Sequence, residues 1–198
     1  MKRVLLLGDT IRLGYQDEVR SRLSDLAVVL GPAENGQHTV NLLFHLWSWA
    51  ITQDPDIIHL NAGHWDSRRV VRGEVGNVIA VEAYRDNVRR ILAVLIRHTR
   101  AKVIWATTTP VQWPEYDVSQ ARWGTPGRDL DSVETYNKVA VEEAVALGVG
   151  VNDLHTFVLA QGQRRMMHDD GAHFSSEGYS VLGQEVARVI RAELGRDS

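Results

Sequence analysis

The 198-residue chain contains no cysteine. That absence excludes disulfides, thiolate zinc sites, iron–sulfur clusters and a cysteine nucleophile. Long apolar runs are missing too. The longest early one, Val4–Leu7, is four residues, against the roughly 20 needed to cross a membrane. Met1-Lys2-Arg3 starts like a secretion signal, but Gly8-Asp9 interrupts the apolar stretch too early, so the expectation is a first strand and a cytoplasmic protein. Lysine is scarce, with only Lys2, Lys102 and Lys138 among 22 basic residues, and the formal net charge is -3. A protein whose main partner is nucleic acid usually carries a clear basic excess, so that partner is not expected. What is present, 44% hydrophobic and 24% charged residues, suits one soluble globular domain spanning residues 1–198.

Short apolar runs alternate with longer amphipathic stretches. Val4–Leu7, Ala27–Leu30, Ile57–Leu60, Val103–Ala106 and Val149–Val151 read as five short buried strands. Helical patterns fill the gaps at about Leu13–Leu23, Val40–Ile51, Ala80–His98 and Ser132–Leu147, with a last one over Ser176–Leu194. This alternation predicts an α/β fold, a three-layer α/β/α sandwich around a five-stranded parallel sheet of flavodoxin-like order. Two stretches break the rhythm: 110–131, rich in Trp, Tyr, Pro and Gly, and the polar 161–175. Both follow strands, so both are expected at the carboxyl edge of the sheet, where open α/β folds bind ligands.

Four places at that edge could carry chemistry. Thr10 ends Leu7-Gly8-Asp9-Thr10 at a strand-to-helix turn, where backbone N–H groups favour negative charge. It reads either as a nucleophilic hydroxyl or as an ordinary helix cap. Asp170-Gly171-Ala172-His173 puts a carboxyl three residues before an imidazole, a spacing that can orient the ring so that its other nitrogen takes a proton. An ordinary loop histidine is the alternative. His168 and Asp169 add to a possible metal cluster there, yet no recognised ligand spacing supports one, and no metal or cofactor is expected. Asn61-Ala62-Gly63-His64-Trp65-Asp66 follows the middle strand, and Gly36 lies in a turn after the second; each could line a site or merely end a strand.

The order of these blocks resembles the SGNH (GDSL-like) hydrolases. Gly8-Asp9-Thr10-Ile11-Arg12-Leu13-Gly14-Tyr15 is similar to the family's first block, with Thr10 at the nucleophile position. Gly36 is the best match to the second-block glycine, Gly63-His64-Trp65-Asp66 to the third block and Asp170-Gly171-Ala172-His173 to the last. The resemblance covers nearly the whole chain; the first and last blocks are specific and the middle two degenerate.

The resemblance implies the SGNH α/β/α fold and a small acyl ester as substrate, with Thr10, His173 and Asp170 as a catalytic triad. It further implies that the amides of Thr10 and Gly36 hold the oxyanion, with no metal. Two positions depart from the pattern. Thr10 stands where the family usually has Ser, and its methyl stiffens χ1. Trp65 stands where the family usually has an oxyanion-binding Asn, so its indole N–H, Asn61 or His64 becomes the candidate replacement donor. Short-acyl ester hydrolysis is therefore expected. The alternatives are acyl transfer by the same residues and a catalytically weakened binding protein.

Overall fold

In the computed structural model, which describes residues 1–72 and 76–195, five parallel strands form one sheet. They are β1 (Lys2–Leu7), β2 (Ala27–Leu30), β3 (Ile57–Leu60), β4 (Lys102–Ala106) and β5 (Gly150–Asn152), in the order β2-β1-β3-β4-β5. The expected sheet and its order are thus observed. The main helices are α1 (Thr10–Arg22), α2 (Thr39–Trp49) and α3 (Val81–His98), followed by α4 (Glu115–Arg122) and α5 (Ser132–Ala146). The chain ends with α6 (Leu154–Gln161), α7 (Gln163–Met166) and α8 (Ser176–Leu194).

The pleat of β1 shows why continuous apolar runs mark the strands. Val4 and Leu6 join one core with Ile11, Tyr15 and Val19 of α1 and Leu182, Val186 and Ile190 of α8. Leu5 and Leu7 join the other, with Leu42 and Leu46 of α2, Val88, Ile91 and Leu92 of α3, and Tyr136 and Ala140 of α5. A strand covered on both faces has no polar side to alternate with.

Three expectations need correction. α1 begins at Thr10 rather than Leu13, because Asp9 caps it: Asp9 Oδ1 accepts the Ile11 N–H at 2.9 Å. Thr10 is therefore the first helical residue and not the cap. The last strand is shifted by one residue to Gly150–Asn152. The 110–131 stretch is not wholly irregular, since it contains α4, which buries only Tyr116 and Ser119 and so shows no apolar period. The final helix starts as its sequence indicates, with Ser175 Oγ accepting the Gly178 N–H at 3.0 Å.

Candidate active site

Thr10, the first residue of α1, sits just past the carboxyl end of β1. Its backbone N–H is one of the first-turn donors that a helix leaves without an internal partner, and it has none elsewhere among the described residues. Thr10 and Ile11 line one side of a pocket of about 260 Å³. His64, Trp65 and Arg68, from the segment after β3, line a second side. Tyr116, Gln120 and Arg128 of the 110–131 stretch, with Ala172 and His173, complete it.

The Asp170–His173 turn is fully built. His173 Nδ1 donates to Asp170 Oδ2 at 2.6 Å, while the amides of Ala172 and His173 both donate to Asp170 Oδ1 at 2.9 Å. Burial pushes the Asp170 carboxyl up, but those three donors outweigh it and hold the pKa below the usual carboxylate value. The carboxylate thus fixes the imidazole with Nδ1 protonated, leaving Nε2 as the acceptor on a ring that lines the pocket. Gly171 makes the turn possible. Its φ is +70°, and a Cβ there would lie 2.5 Å from the Tyr116 nitrogen and 2.6 Å from the Gln112 carbonyl oxygen. Gln112 N–H in turn donates to the Gly171 carbonyl at 2.7 Å, tying the 110–131 stretch to the dyad. No hydrogen bond joins Thr10 to His173 among the described residues, although both face the same pocket.

The other expected residues divide into pocket walls and struts. Gly36 is a strut: its N–H donates to the Gly8 carbonyl at 2.9 Å, so this amide is not free for an oxyanion. A Cβ at Gly36 would lie 2.6 Å from that same oxygen, which is why the position takes glycine. Asn61 Nδ2 is spent on the Ala106 carbonyl at 2.8 Å. Gly63 packs where a Cβ would be 2.2 Å from Thr108 Oγ1. Asp66 is buried away from the pocket and accepts the Thr39 N–H at 3.0 Å and its hydroxyl at 2.6 Å, fastening the segment after β3 to the start of α2. Burial raises its pKa, opposed by those Thr39 bonds.

His64 lines the pocket but is locked in place. Arg128 donates to its Nδ1 at 2.7 Å and to its carbonyl at 3.0 Å, and Nε2 reaches Thr109 Oγ1 at 3.0 Å. Burial and then the adjacent guanidinium push its pKa well below the ordinary value. The ring is therefore neutral with its proton on Nε2, directed at Thr109. Trp65 is a half-buried wall with the Arg68 guanidinium 5.5 Å above its ring. Of the other aromatics in the 110–131 stretch, Tyr116 lines the pocket, Trp113 packs edge-on against Tyr116, and Trp123 is exposed.

Sequence reasoning assigned no role to Arg12, Arg68 or Arg128. Arg12 is buried and holds the turn after β2 to α1, donating to the carbonyls of Pro32 and Glu34, each at 2.8 Å. A buried arginine that binds carbonyls leaves no trace in periodicity or charge balance. The exception in sequence is its place inside the first block.

Thr10, at the start of α1, and the Asp-oriented His173 line one pocket at the carboxyl edge of a five-stranded parallel sheet, and this fold is that of an SGNH-type hydrolase enzyme. The chain belongs to the GDSL-like Lipase/Acylhydrolase family, matching its sequence profile over residues 8–181. It is 25% identical over 179 residues to a GDSL esterase/lipase, CPRD49, of Arabidopsis thaliana, covering 88% of this chain and 69% of that protein. Among solved structures it is similar to a lipase/acylhydrolase from Enterococcus faecalis, with a TM-score of 0.79 and 24% identity, covering 98% of this chain and 97% of that one. It is also similar to the acetylxylan esterase Axe2 from Geobacillus stearothermophilus, with a TM-score of 0.75, 16% identity and coverage of 94% and 93%. Enzymes of this kind act on small ester substrates. Among the described residues, no helix is long and apolar enough to cross a membrane.

Proposed function

We propose that the protein hydrolyses small, short-acyl esters through a covalent acyl-threonine. Thr10 Oγ1 attacks the ester carbonyl carbon while its proton passes to His173 Nε2, and Asp170 stabilises the imidazolium that results. Collapse of the tetrahedral intermediate expels the alcohol, which takes the proton back from His173. Water then repeats the sequence and releases the acid. The oxyanion falls to the unspent donors among those expected, the Thr10 N–H at the positive end of α1 and the Trp65 indole N–H. The observation that carries this reading is the Asp170–His173 dyad, held by three hydrogen bonds, whose His173 lines the same pocket as Thr10.

The acetylxylan esterase activity named for three of the similar structures, two of them of Axe2, supports an acyl group as small as acetyl. So does the pocket volume of about 260 Å³. The test is turnover of p-nitrophenyl acetate by the wild type, Thr10→Ala, Thr10→Ser and His173→Ala. Thr10→Ala and His173→Ala should each lower kcat by at least about 10³-fold. Thr10→Ser should retain or raise it, because the extra methyl no longer restricts the attacking oxygen. Equal rates in the wild type and both alanine variants would refute the reading.

A further inference from the structure

We propose that the ester taken by this pocket carries a second, ionised acidic group, a carboxylate or phosphate, received by Arg68 and Arg128. This deepens the esterase reading and rests on it. Five arginines stand on the two segments that form this end of the pocket, and they are treated differently; Arg122 is exposed. Arg69 is paired with Asp129, and Arg72 reaches Asp117 at 3.4 Å and the Thr125 carbonyl at 3.3 Å. Arg68 and Arg128, the two that line the pocket, have no carboxylate within ion-pair distance among the described residues.

Arg128 is the more telling of the two. It is only 5% exposed. Its Nε donates to the Tyr116 hydroxyl at 3.0 Å, and its two terminal nitrogens donate to His64 Nδ1 and the His64 carbonyl. All three acceptors are neutral, so they orient the guanidinium without cancelling its charge. A buried cation held this way is costly unless an anion completes it. Two of its five N–H groups, one on each terminal nitrogen, have no partner among the described residues and are left to donate to an anion's oxygens.

Among the described residues no carboxylate pairs directly with either guanidinium. No Asp or Glu among the described residues lines the pocket. Asp170 is committed to His173 and two amides. Asp9, the residue before Thr10, does not line the pocket; burial raises its pKa, opposed by the Ile11 N–H and then by the charges of Arg128 and His173. Arg68, held over Trp65, and Gln120 add further donors on the same walls.

Matched esters differing in one charge test this. p-Nitrophenyl hemisuccinate against p-nitrophenyl butyrate places the anion on the acyl side; 4-acetoxybenzoate against its methyl ester places it on the leaving group. We expect one anionic ester to exceed its neutral partner about tenfold or more in kcat/KM, and Arg68→Gln to reduce that ratio to about threefold or less. Calorimetry runs alongside, with succinate, inorganic phosphate and neutral succinamide titrated into the wild type, Arg68→Gln and Arg128→Lys. Either anion should bind, weaken in both variants, and outcompete succinamide; which one binds separates a carboxylate from a phosphate ligand. Turnover without charge preference, or anion binding indifferent to Arg68→Gln, overturns the anion site and leaves the esterase reading standing. Anion binding that Arg68→Gln abolishes, with no ester turned over, overturns the esterase reading and leaves the anion site.

Discussion

Acidification should destabilise this protein through His59, by an amount the structure allows to be worked out. His59 lies on β3 with no exposed surface; Asn152 Nδ2 lies 3.1 Å from its Nε2 and Nδ1 has no partner. Since an amide N–H must donate there, Nε2 is the acceptor and the ring is neutral. Burial pushes its pKa down to about 4. An unfolded histidine titrates near 6.5, so the unfolded chain binds the proton more readily. Stability is therefore complete above pH 6.5 and is lost as pH falls through the window from 6.5 to 4. At pH 5 the loss from this residue is about 2 kcal/mol, approaching about 3 kcal/mol below pH 4. The assay is urea unfolding at pH 7 and pH 5 of the wild type and His59→Gln, whose amide oxygen can still accept from Asn152 but does not titrate. Acid effects of other groups, His64 among them, are common to both proteins and cancel. The wild type should lose about 2 kcal/mol more than the variant between the two pH values. Losses equal within about 0.5 kcal/mol would refute the reasoning, since burial would then not be what keeps His59 uncharged.

Three substitutions probe the site and its supports. Asp170→Asn should lower kcat by roughly 10³–10⁴-fold with little change in Tm, because the amide cannot hold the imidazolium; steady-state kinetics and thermal melting check it. Gly36→Ala drives a Cβ to 2.6 Å from the Gly8 carbonyl oxygen. It should cost about 1–3 kcal/mol by overpacking, lowering Tm by several degrees, whereas an amide serving only the oxyanion would leave Tm unchanged. Gly14→Ala places a Cβ 2.2 Å from the Tyr179 ring. Despite the roughly 1 kcal/mol that Ala gains over Gly in a helix, the variant should unfold at lower urea concentration.

The centre of the sheet was legible in the sequence because β1 and β4 are buried on both faces and read as apolar runs. Val4–Leu7 illustrates this: a four-residue apolar run ended by Gly8 forms the buried part of β1. α3 and α8 were legible for the complementary reason, since Tyr84, Val88, Ile91, Leu92 and Leu95 recur at the helical period on one face. α4 was not legible, because a short helix that covers a pocket buries two side chains and needs no stripe. In the site, Asp170 and His173 could be read because their partnership is local, three residues apart within one turn. Arg128 could not be, because its contacts with Tyr116 and His64 depend on two loops meeting in space.

That difference separates motif residues that face substrate from those that hold the motif in place. Asp66 and Gly36 occupy block positions, yet one fastens the segment after β3 to Thr39 and the other fits the turn after β2 against Gly8. Both act on Thr10 and the pocket through backbone placement. Arg12 works in the same direction from within the first block, by drawing the Pro32 and Glu34 carbonyls onto α1. The 110–131 stretch is tied down at Gly171 by Gln112, and the segment after β4 by Asn137, which exchanges two hydrogen bonds with the Thr108 backbone. Each loop that supplies a pocket wall is therefore anchored by a bond outside the pocket. A site built this way starts with its donors already oriented, and little ordering remains to be done when a ligand binds. Loss of an anchor should accordingly reduce stability and activity together, whereas loss of Thr10 or His173 should reduce activity alone.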